Sequence, residues 1–198
     1  DGTADIVKQH SAADGRIRLL QRTGRRGLAS AVLEGSAISS GDVVVMMDGD
    51  LSHDPAALPS LVEQIERGYD VAIGSRYTKG GETRGWPLAR RWGSRVSTFV
   101  ARPLLGISVR DPLTGYVAFR RPCLERIPTR YSSRGFKLLL EVLATSPYLK
   151  VVEVPIVFTD RARGKSKLGP GELFQFSSLC LKLFFWRLRH RKPQPKSS

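Results

Sequence analysis

The sequence contains few of the residues that form disulfides or zinc sites. Its two cysteines, Cys123 and Cys180, lie far apart without a C-x-x-C pair, and its three histidines show no ligand-like spacing. This distribution argues against a disulfide framework and against a zinc site. The nearest candidate for a spanning segment, LCLKLFFW, is far shorter than the roughly 18 apolar residues required and is interrupted by Lys182. We therefore expect no membrane-spanning helix in this chain.

Acidic residues are also scarce. Among 198 residues there are 18 Asp or Glu against 32 Lys or Arg, which gives a formal net charge of +14. The excess is concentrated at the C-terminal end, where residues 161–198 hold ten basic residues and one acid, Glu172. A chain of this length is expected to form one domain, and its charge favours a polyanionic partner. Nucleic acid, phosphorylated small molecules and anionic lipid all fit that description.

Apolar patterning alternates between short buried runs and longer segments with a helical period. Strands are predicted at RIRLLQR, DVVVMM, DVAIGS, YVAFRR and KVVEVPIVFTD, and Pro155 in the last of these favours an edge position. Helices are predicted over residues 3–9, 27–39, 54–67, 87–105, 135–146 and 171–190. Strands separated by helices of this length predict an α/β fold, with a mostly parallel sheet covered by helices on both faces.

The stretch VVVMMDGDLSHDP carries a buried strand directly into three acidic residues. In open α/β sheets, ligands bind beyond the C-terminal ends of parallel strands. Asp48 and Asp50, separated by the small Gly49, can both face a hard divalent cation, which would neutralise charge on a diphosphate leaving group. The alternative is an acidic turn that caps the following helix. We assign that capping role to Asp54, because it directly precedes the helix-starting Pro55.

Basic residues follow other predicted strands. Arg76 ends the strand in IGSRYTKGG, while Arg90 and Ser94 lie four residues apart on a helix and can hold one phosphate together. Four more cations lie in the Gly-rich segment FTDRARGKSKLGPGE, namely Arg161, Arg163, Lys165 and Lys167. Each cation taken singly is more readily explained as a solvated surface charge. Grouped beside an acidic pair, they favour a substrate that carries several phosphates.

These motifs also resemble a known family. MDGDLSHDP, GSRYTKGG, GWPLARRWGSR, DPLTGYVAFRR, RGFKLLLEVL and VEVPIVFTDRARGKSKLG occur in this order in the dolichyl-phosphate (polyprenyl-phosphate) mannosyltransferases, which are GT-A-fold enzymes of glycosyltransferase family two. The resemblance covers residues 1 to about 173 and implies a GT-A (Rossmann-like) fold. The opening DGT resembles the end of a DD-x-S-x-DGT stretch in that family. This resemblance implies that the chain is a fragment that lacks the first βαβ portion of the fold. We expect the fragment alone to be inactive.

The resemblance implies a donor site. Such enzymes transfer mannose from GDP-mannose to dolichyl or polyprenyl phosphate with inversion, and they hold Mg²⁺ or Mn²⁺ on the residues matched by Asp48 and Asp50. The family often has Gln where this chain has Ser52, so Ser52 is an additional metal-ligand candidate. Arg161 and Lys167 match a basic loop over the donor phosphates, and Arg161 joins the two aspartates in the predicted catalytic set.

The resemblance also implies an acceptor site. Arg76, Arg90 and Ser94 match the residues that hold the lipid phosphate. A phosphate acceptor is already anionic near neutral pH, so no general base is required, which agrees with the lack of an obvious catalytic histidine. Asp111 could line the sugar site, but we expect it to have a plain turn role.

Two helices carry apolar stripes that suit a membrane surface. On the helix over residues 87–105 the stripe consists of Leu88, Trp92, Val96, Phe99 and Val100, and the last helix is rich in Phe before RLRHRK. Such helices can lie in a membrane interface, although packing on the core is an equal alternative for the first. We expect a transferase domain over residues 1–170, an interfacial helix over 171–190 and a disordered basic tail over 191–198. The protein would then sit peripherally on the cytoplasmic face of a membrane, with a membrane-anchoring subunit as an open alternative.

Other functions remain in competition. A polyprenyl-phosphate glucosyltransferase, or another family-two transferase with a different donor, would share these motifs. A basic nucleic-acid-binding domain would explain the net charge. However, the sequence shows no recognisable module of that kind, so we expect no nucleic-acid partner.

Overall fold

The computed structural model describes residues 2–24, 27–126, 137–160 and 170–190. Seven helices and six strands occur in these ranges. The helices are α1 (Thr3–Ala13), α2 (Leu28–Ile38), α3 (Leu58–Glu66), α4 (Leu88–Leu105), α5 (Arg121–Glu125), α6 (Leu138–Thr145) and α7 (Pro170–His190). The strands are β1 (Val43–Met46), β2 (Val71–Ser75), β3 (Glu82–Arg84), β4 (Val117–Arg120), β5 (Val151–Pro155) and β6 (Val157–Thr159).

Four strands form the central sheet, in the order β1-β4-β2-β5. β5 pairs parallel with β2, whereas β4 lies antiparallel between β1 and β2. Three of the four strands therefore point the same way, as the prediction of a mostly parallel sheet requires, but two of the three pairings are antiparallel. The reason is that β4 begins at the edge where β1 and β2 end, so it must run back against both of them.

The sheet is covered on both faces, as predicted. Along β2 the side chains alternate, so Val71 and Ile73 join one apolar cluster while Ala72 joins the other. The larger cluster includes buried residues of α2, α4, α6 and α7, and the smaller one is built on Leu61 and Ile65 of α3. This two-sided core fixes β2 and β4 rigidly and so gives a firm base to the loops at their ends.

A second, two-stranded sheet forms where β3 pairs parallel with β6. β5 lies at an edge of the main sheet, as Pro155 predicted, and the chain passes through Ile156 into β6 of the small sheet. β3 was not anticipated, because it falls in a Gly-rich segment that was expected to form a loop. Its pairing partner lies more than seventy positions further along the chain, which no local pattern can reveal.

The predicted strand RIRLLQR is wrong. Residues 17–22 have no strand structure, and Ile17 and Leu20 are exposed. The segment lies against α2 instead, because Arg22 donates to Glu34 at 2.9 Å and to Ser30 at 2.7 Å. The alternation of apolar and basic residues therefore reflects contact with a helix and not with a sheet.

Helices α2, α3, α4, α6 and α7 agree with the sequence predictions, whereas α1 extends four residues beyond its predicted end and α5 was not predicted. Asp54 accepts a hydrogen bond from the Ala56 amide at 2.9 Å and so caps a 3-10 turn, Pro55–Ala57, which confirms its capping role. α7 packs against α4 and α6 and buries Cys180 and Leu183. Within the described ranges, no helix combines the length and apolar character needed to cross a membrane. The tail predicted over residues 191–198 lies outside the described residues.

Candidate active site

Asp48 lies at the edge of the sheet where β1 ends, two residues after Met46. Its side chain is 44% exposed, so it is accessible from solvent. One carboxylate oxygen, Oδ2, lies 3.5 Å from Nε2 of His53. On another side the carboxylate faces Gly115, where a Cβ atom would lie only 2.8 Å from Oδ2. The glycine therefore leaves the space that the Asp48 carboxylate occupies.

Asp50 is held by its own local turn. Its Oδ1 accepts a hydrogen bond from the backbone amide of Ser52 at 3.1 Å and another from the Ser52 hydroxyl. Ser52 is itself buried, and its carbonyl accepts from the Thr159 amide at 3.0 Å. Leu51 lies between Asp50 and Ser52 in the chain. Its φ of 63° falls in the left-handed region, which a branched residue seldom adopts, and the residue is 83% exposed. The backbone therefore accepts local strain to turn Asp50 toward Ser52.

Asp48 and Asp50 are the predicted ligands of a divalent cation, and that assignment stays a prediction. Among the residues that the structure describes, no cluster of three or more Asp, Glu, His or Cys side chains has the arrangement of a metal site. A cation here would therefore take two protein carboxylates and complete its shell with phosphate oxygens and water, as Mg²⁺ commonly does. Because the Ser52 hydroxyl already donates to Asp50, the geometry gives Ser52 a supporting contact, and its role as a ligand stays a prediction.

His53 is a feature of this site that the sequence did not reveal. It is buried, and its ring packs against Tyr116 and Phe158 with ring centroids 4.9 and 5.0 Å apart. Neither ring nitrogen has a hydrogen-bond partner within the described part of the chain. From the sequence, only its position three residues after Asp50 is apparent. Its burial depends on Tyr116 and Phe158, which come from distant parts of the chain.

Arg76, at the end of β2, is bound into a buried ion pair. Its backbone amide, Nε and Nη2 all donate to the Asp111 carboxylate, at 3.0, 2.7 and 2.7 Å. Burial by itself would lower the pKa of Arg76, but the hydrogen bonds and the charge of Asp111 raise that pKa above its ordinary value. The amides of Arg110 and Asp111 in turn donate to Glu153 of β5. The plain turn role expected for Asp111 is therefore wrong, because its carboxylate is fully buried and forms an ion pair with the Arg76 guanidinium.

The two arginines predicted to bind phosphate both lie over the Trp86 ring. The Arg90 guanidinium carbon is 4.3 Å from the centre of the Trp86 ring, and that of Arg76 is 5.2 Å away. Arg90 also donates to Asp160 at 2.6 Å. The Trp86 ring meets Phe158 edge to face at 5.3 Å. Since Phe158 also contacts His53, the three rings form a continuous aromatic row (His53, Phe158 and Trp86) that runs from Asp48 to the arginines.

Ser94 joins the same group through Tyr77. The Tyr77 hydroxyl donates to the Ser94 hydroxyl at 2.8 Å, and the Arg76 guanidinium lies 5.1 Å from the Tyr77 ring centre. The structure thus brings Arg76, Arg90 and Ser94 into one region, which the aromatic row connects to Asp48. Their assignment to an acceptor phosphate stays a prediction.

The basic segment after β6 lies outside the described residues, and with it Arg161, Arg163, Lys165 and Lys167. The structure does describe Asp160, the residue before it. The Asp160 amide donates to the Arg84 carbonyl at 2.9 Å, which extends the small sheet by one step. Asp160 itself lies next to Arg90, to which it is bound.

The fold is that of a GT-A glycosyltransferase. A solved glucosyl-3-phosphoglycerate synthase from Mycobacterium tuberculosis, in complex with Mn²⁺, UDP-glucose and glycerol 3-phosphate, superposes with a TM-score of 0.61 at 23% identity. That similarity covers 98% of this chain and 66% of the synthase. The family profile of Glycosyl transferase family 2 matches residues 1–127. The chain belongs to glycosyl transferase family 2.

Curated relatives show a more specific similarity than the fold and family do. A dolichol-phosphate mannosyltransferase from Pyrococcus furiosus is 41% identical over 172 residues, which cover 86% of this chain and 48% of that protein. A polyprenol monophosphomannose synthase from Mycolicibacterium smegmatis is 37% identical, with 96% of this chain and 74% of that protein covered. A dolichol-phosphate mannosyltransferase from Saccharomyces cerevisiae is 34% identical, with 94% and 72% covered. The resemblance noted in the sequence is thereby confirmed, and the chain spans about half the length of the Pyrococcus relative.

Proposed function

We propose that the protein transfers mannose from GDP-mannose to a dolichyl or polyprenyl phosphate, with inversion at the anomeric carbon. The observation that carries this proposal is the aromatic row, which joins the acidic pair at one end to Arg76 and Arg90 at the other. A sugar transfer between two phosphates needs such a pair of sites side by side. The names of the relatives support mannose as the sugar and a polyprenyl phosphate as the acceptor.

Asp48 and Asp50 would hold a divalent cation, Mg²⁺ or Mn²⁺. When bound, such a cation supplies positive charge that stabilises the departing nucleoside diphosphate. The presence of Mn²⁺ in the structurally similar synthase supports a divalent metal here. Asp48 is accessible and Asp50 is fixed by Ser52, so the protein offers both carboxylates at one edge of the sheet.

The acceptor phosphate would lie against Arg76, Arg90 and Ser94. Both arginines are already paired with acids, Arg76 with Asp111 and Arg90 with Asp160, so each pair has little net charge. Arg76 keeps Nη1 without a hydrogen-bond partner among the described residues. We infer that these arginines recognise phosphate by directed N–H donation, and that Arg161 and Lys167 supply the net positive charge.

The lipid part of the acceptor calls for contact with a membrane. All five apolar residues of the α4 stripe are exposed, among them Trp92 at 73% and Phe99 at 78%, so this stripe does not pack on the core. α7 packs beside α4 and also exposes Phe174 and Phe185. We propose that the two helices together rest on the cytoplasmic face of a membrane, as a peripheral contact that an anchoring subunit would reinforce.

A donor screen tests the proposed activity. The protein at its natural length is incubated with polyprenyl phosphate, Mn²⁺ and either GDP-mannose or UDP-glucose, and the lipid-linked sugar is measured. We expect transfer from GDP-mannose only. Asp50→Asn should abolish it, whereas Asp42→Asn, an exposed acid before the other end of β1, should not. Transfer from UDP-glucose alone would favour a glucosyltransferase, and no transfer from either donor would overturn the proposal.

Vesicle co-sedimentation tests the membrane contact. Removing residues 172–198 would be a poor test, because Cys180 and Leu183 belong to the core. We therefore choose Trp92→Ser with Phe99→Ser. Since burial of one such side chain is worth roughly 1.5–3 kcal/mol, the double variant should bind anionic vesicles at least about tenfold more weakly. Tyr148→Ser, which changes an exposed aromatic residue outside both helices, is the control, and equal retention of all forms would contradict the contact.

A further inference from the structure

The two aspartates of the acidic pair are held in different ways. Asp50 is fixed by two hydrogen bonds from Ser52. Asp48 has no hydrogen bond to another described residue, and its carboxylate instead lies between the His53 ring and the bare backbone of Gly115. A metal ligand needs a defined orientation, and among the described residues these two neighbours are the candidates to provide it for Asp48.

His53 is placed to supply that orientation. Its side chain is only 1% exposed, and neither ring nitrogen has a hydrogen-bond partner in the described ranges. A buried imidazole without a partner is unfavourable, which favours a site where the partner arrives in the working state. The acid nearest to Nε2 is Asp48 at 3.5 Å, a few tenths of an ångström beyond hydrogen-bond range.

The His53 ring has little freedom to turn elsewhere. It is packed against Tyr116 and Phe158, and its backbone forms an isolated β-bridge with Phe158. Gly115 leaves room for the same carboxylate on another side, because a Cβ atom there would lie 2.8 Å from Oδ2 and 3.2 Å from the carboxyl carbon of Asp48. The carboxylate can therefore lie in the space beside Gly115 with Oδ2 directed toward the His53 ring.

We propose that His53 and Gly115 form a seat for the Asp48 carboxylate, with the His53 Nε2–H donating to Oδ2 so that the other oxygen is presented to the cation. His53 is then a positioning residue that acts through Asp48. The proposal rests on the proposed function, since it takes Asp48 to be a metal ligand. It adds a residue from the aromatic row to the metal site.

Two substitutions at position 53 separate donation from packing. His53→Phe keeps an aromatic ring against Tyr116 and Phe158 but removes the donor. His53→Gln keeps a donor at the reach of Nε2 and loses the ring. A purely structural histidine would be replaced better by Phe, whereas a positioning histidine would be replaced better by Gln. Gly115→Ala gives a third variant, in which the added methyl group displaces the Asp48 carboxylate and touches no other atom more closely.

Mn²⁺ binding to the full chain is measured with GDP present, through the electron paramagnetic resonance signal of free Mn²⁺. This measurement does not depend on turnover. Thermal unfolding of each variant is measured in parallel. We expect His53→Phe and Gly115→Ala to weaken Mn²⁺ binding roughly 10- to 100-fold, the usual effect of losing a residue that orients a metal ligand. His53→Gln should lose less than His53→Phe, and His10→Phe on the exposed surface of α1 should have no effect.

The outcomes distinguish the inference from the function on which it rests. If Asp48→Asn and Asp50→Asn abolish Mn²⁺ binding while His53→Phe binds as the wild type does, the seat is refuted and the proposed function stands. A His53→Gln variant that binds more weakly than His53→Phe refutes the seat equally. If neither aspartate variant changes Mn²⁺ binding, the metal site of the proposed function is refuted, and the seat with it.

Discussion

Replacing Asp111 with Ala should destabilise the fold severely, although the residue lies at the candidate site and not in either apolar cluster. The substitution leaves the Arg76 guanidinium, whose side chain is 6% exposed, without the carboxylate that accepts three hydrogen bonds from Arg76. Breaking a buried ion pair by removing one partner typically costs about 3–5 kcal/mol, because a buried charge remains without compensation. That loss is a large part of the roughly 5–15 kcal/mol that stabilises a domain.

Urea unfolding of matched variants provides the assay. Glu63→Ala breaks an exposed pair with Arg67 on α3 and should cost less than about 1 kcal/mol, so it controls for loss of an ion pair as such. The double variant Arg76→Leu with Asp111→Leu removes both charges and should recover much of the stability that Asp111→Ala loses. If Asp111→Ala costs no more than Glu63→Ala, the reasoning about the buried pair is refuted.

The ion pair between Arg76 and Asp111 also complicates the interpretation of any substitution of Arg76. Arg76→Ala would leave Asp111 buried and unpaired, so a loss of acceptor binding would mix a lost phosphate contact with a weakened fold. Arg90 offers a cleaner test, because its ion pair with Asp160 is less buried. Arg90→Ala should weaken acceptor use by an amount consistent with one charge-assisted contact, roughly 1.5–3 kcal/mol, while GDP-mannose binding barely changes.

Three further predictions concern single residues. Asp50→Asn should abolish Mn²⁺-dependent GDP-mannose binding in calorimetry without changing thermal unfolding, and an unchanged affinity would contradict the metal assignment. Leu51→Asn should raise the free energy of unfolding by up to about 1 kcal/mol, because Asn tolerates the left-handed backbone better; a loss of stability in urea would refute this. Burial raises the pKa of the Cys180 thiol to about 11, so Cys180 should resist iodoacetamide at pH 8 in the native protein, and its stabilising effect should fade as the pH rises from about 8.5 toward 11. Mass spectrometry would contradict this if native and urea-unfolded Cys180 were alkylated at equal rates.

The sequence revealed the parts of the fold that depend on local pattern. The apolar run before Asp48 predicted a strand that ends close to Asp48, and the period of the α4 stripe predicted which residues share a face. Pro155 predicted an edge strand, because it cannot donate to a neighbour there. Each of these inferences needs only residues that are close along the chain, and the structure agrees with all of them.

The features that sequence reasoning missed depend on distant partners. Asp111 looked like a turn residue because nothing nearby indicates that Arg76, 35 positions earlier, is bound to it. His53 looked like an isolated histidine because its packing comes from Tyr116 and Phe158. β4 could not be oriented, since a strand's direction depends on the edge at which it enters the sheet. Such contacts are fixed by tertiary packing and leave no short-range signature.

The number of residues that connect β5 to β6 cannot change without altering the structure on either side. Ile156 alone separates the strand of the main sheet from the strand of the small one. Adding or deleting one residue here would reverse the side-chain alternation of β6. Phe158 would then leave the aromatic row, and Asp160 would turn away from Arg90. Insertions should therefore be tolerated in the loops of this protein. An insertion at this junction should disrupt the aromatic row, even though the junction lies near an edge of the sheet.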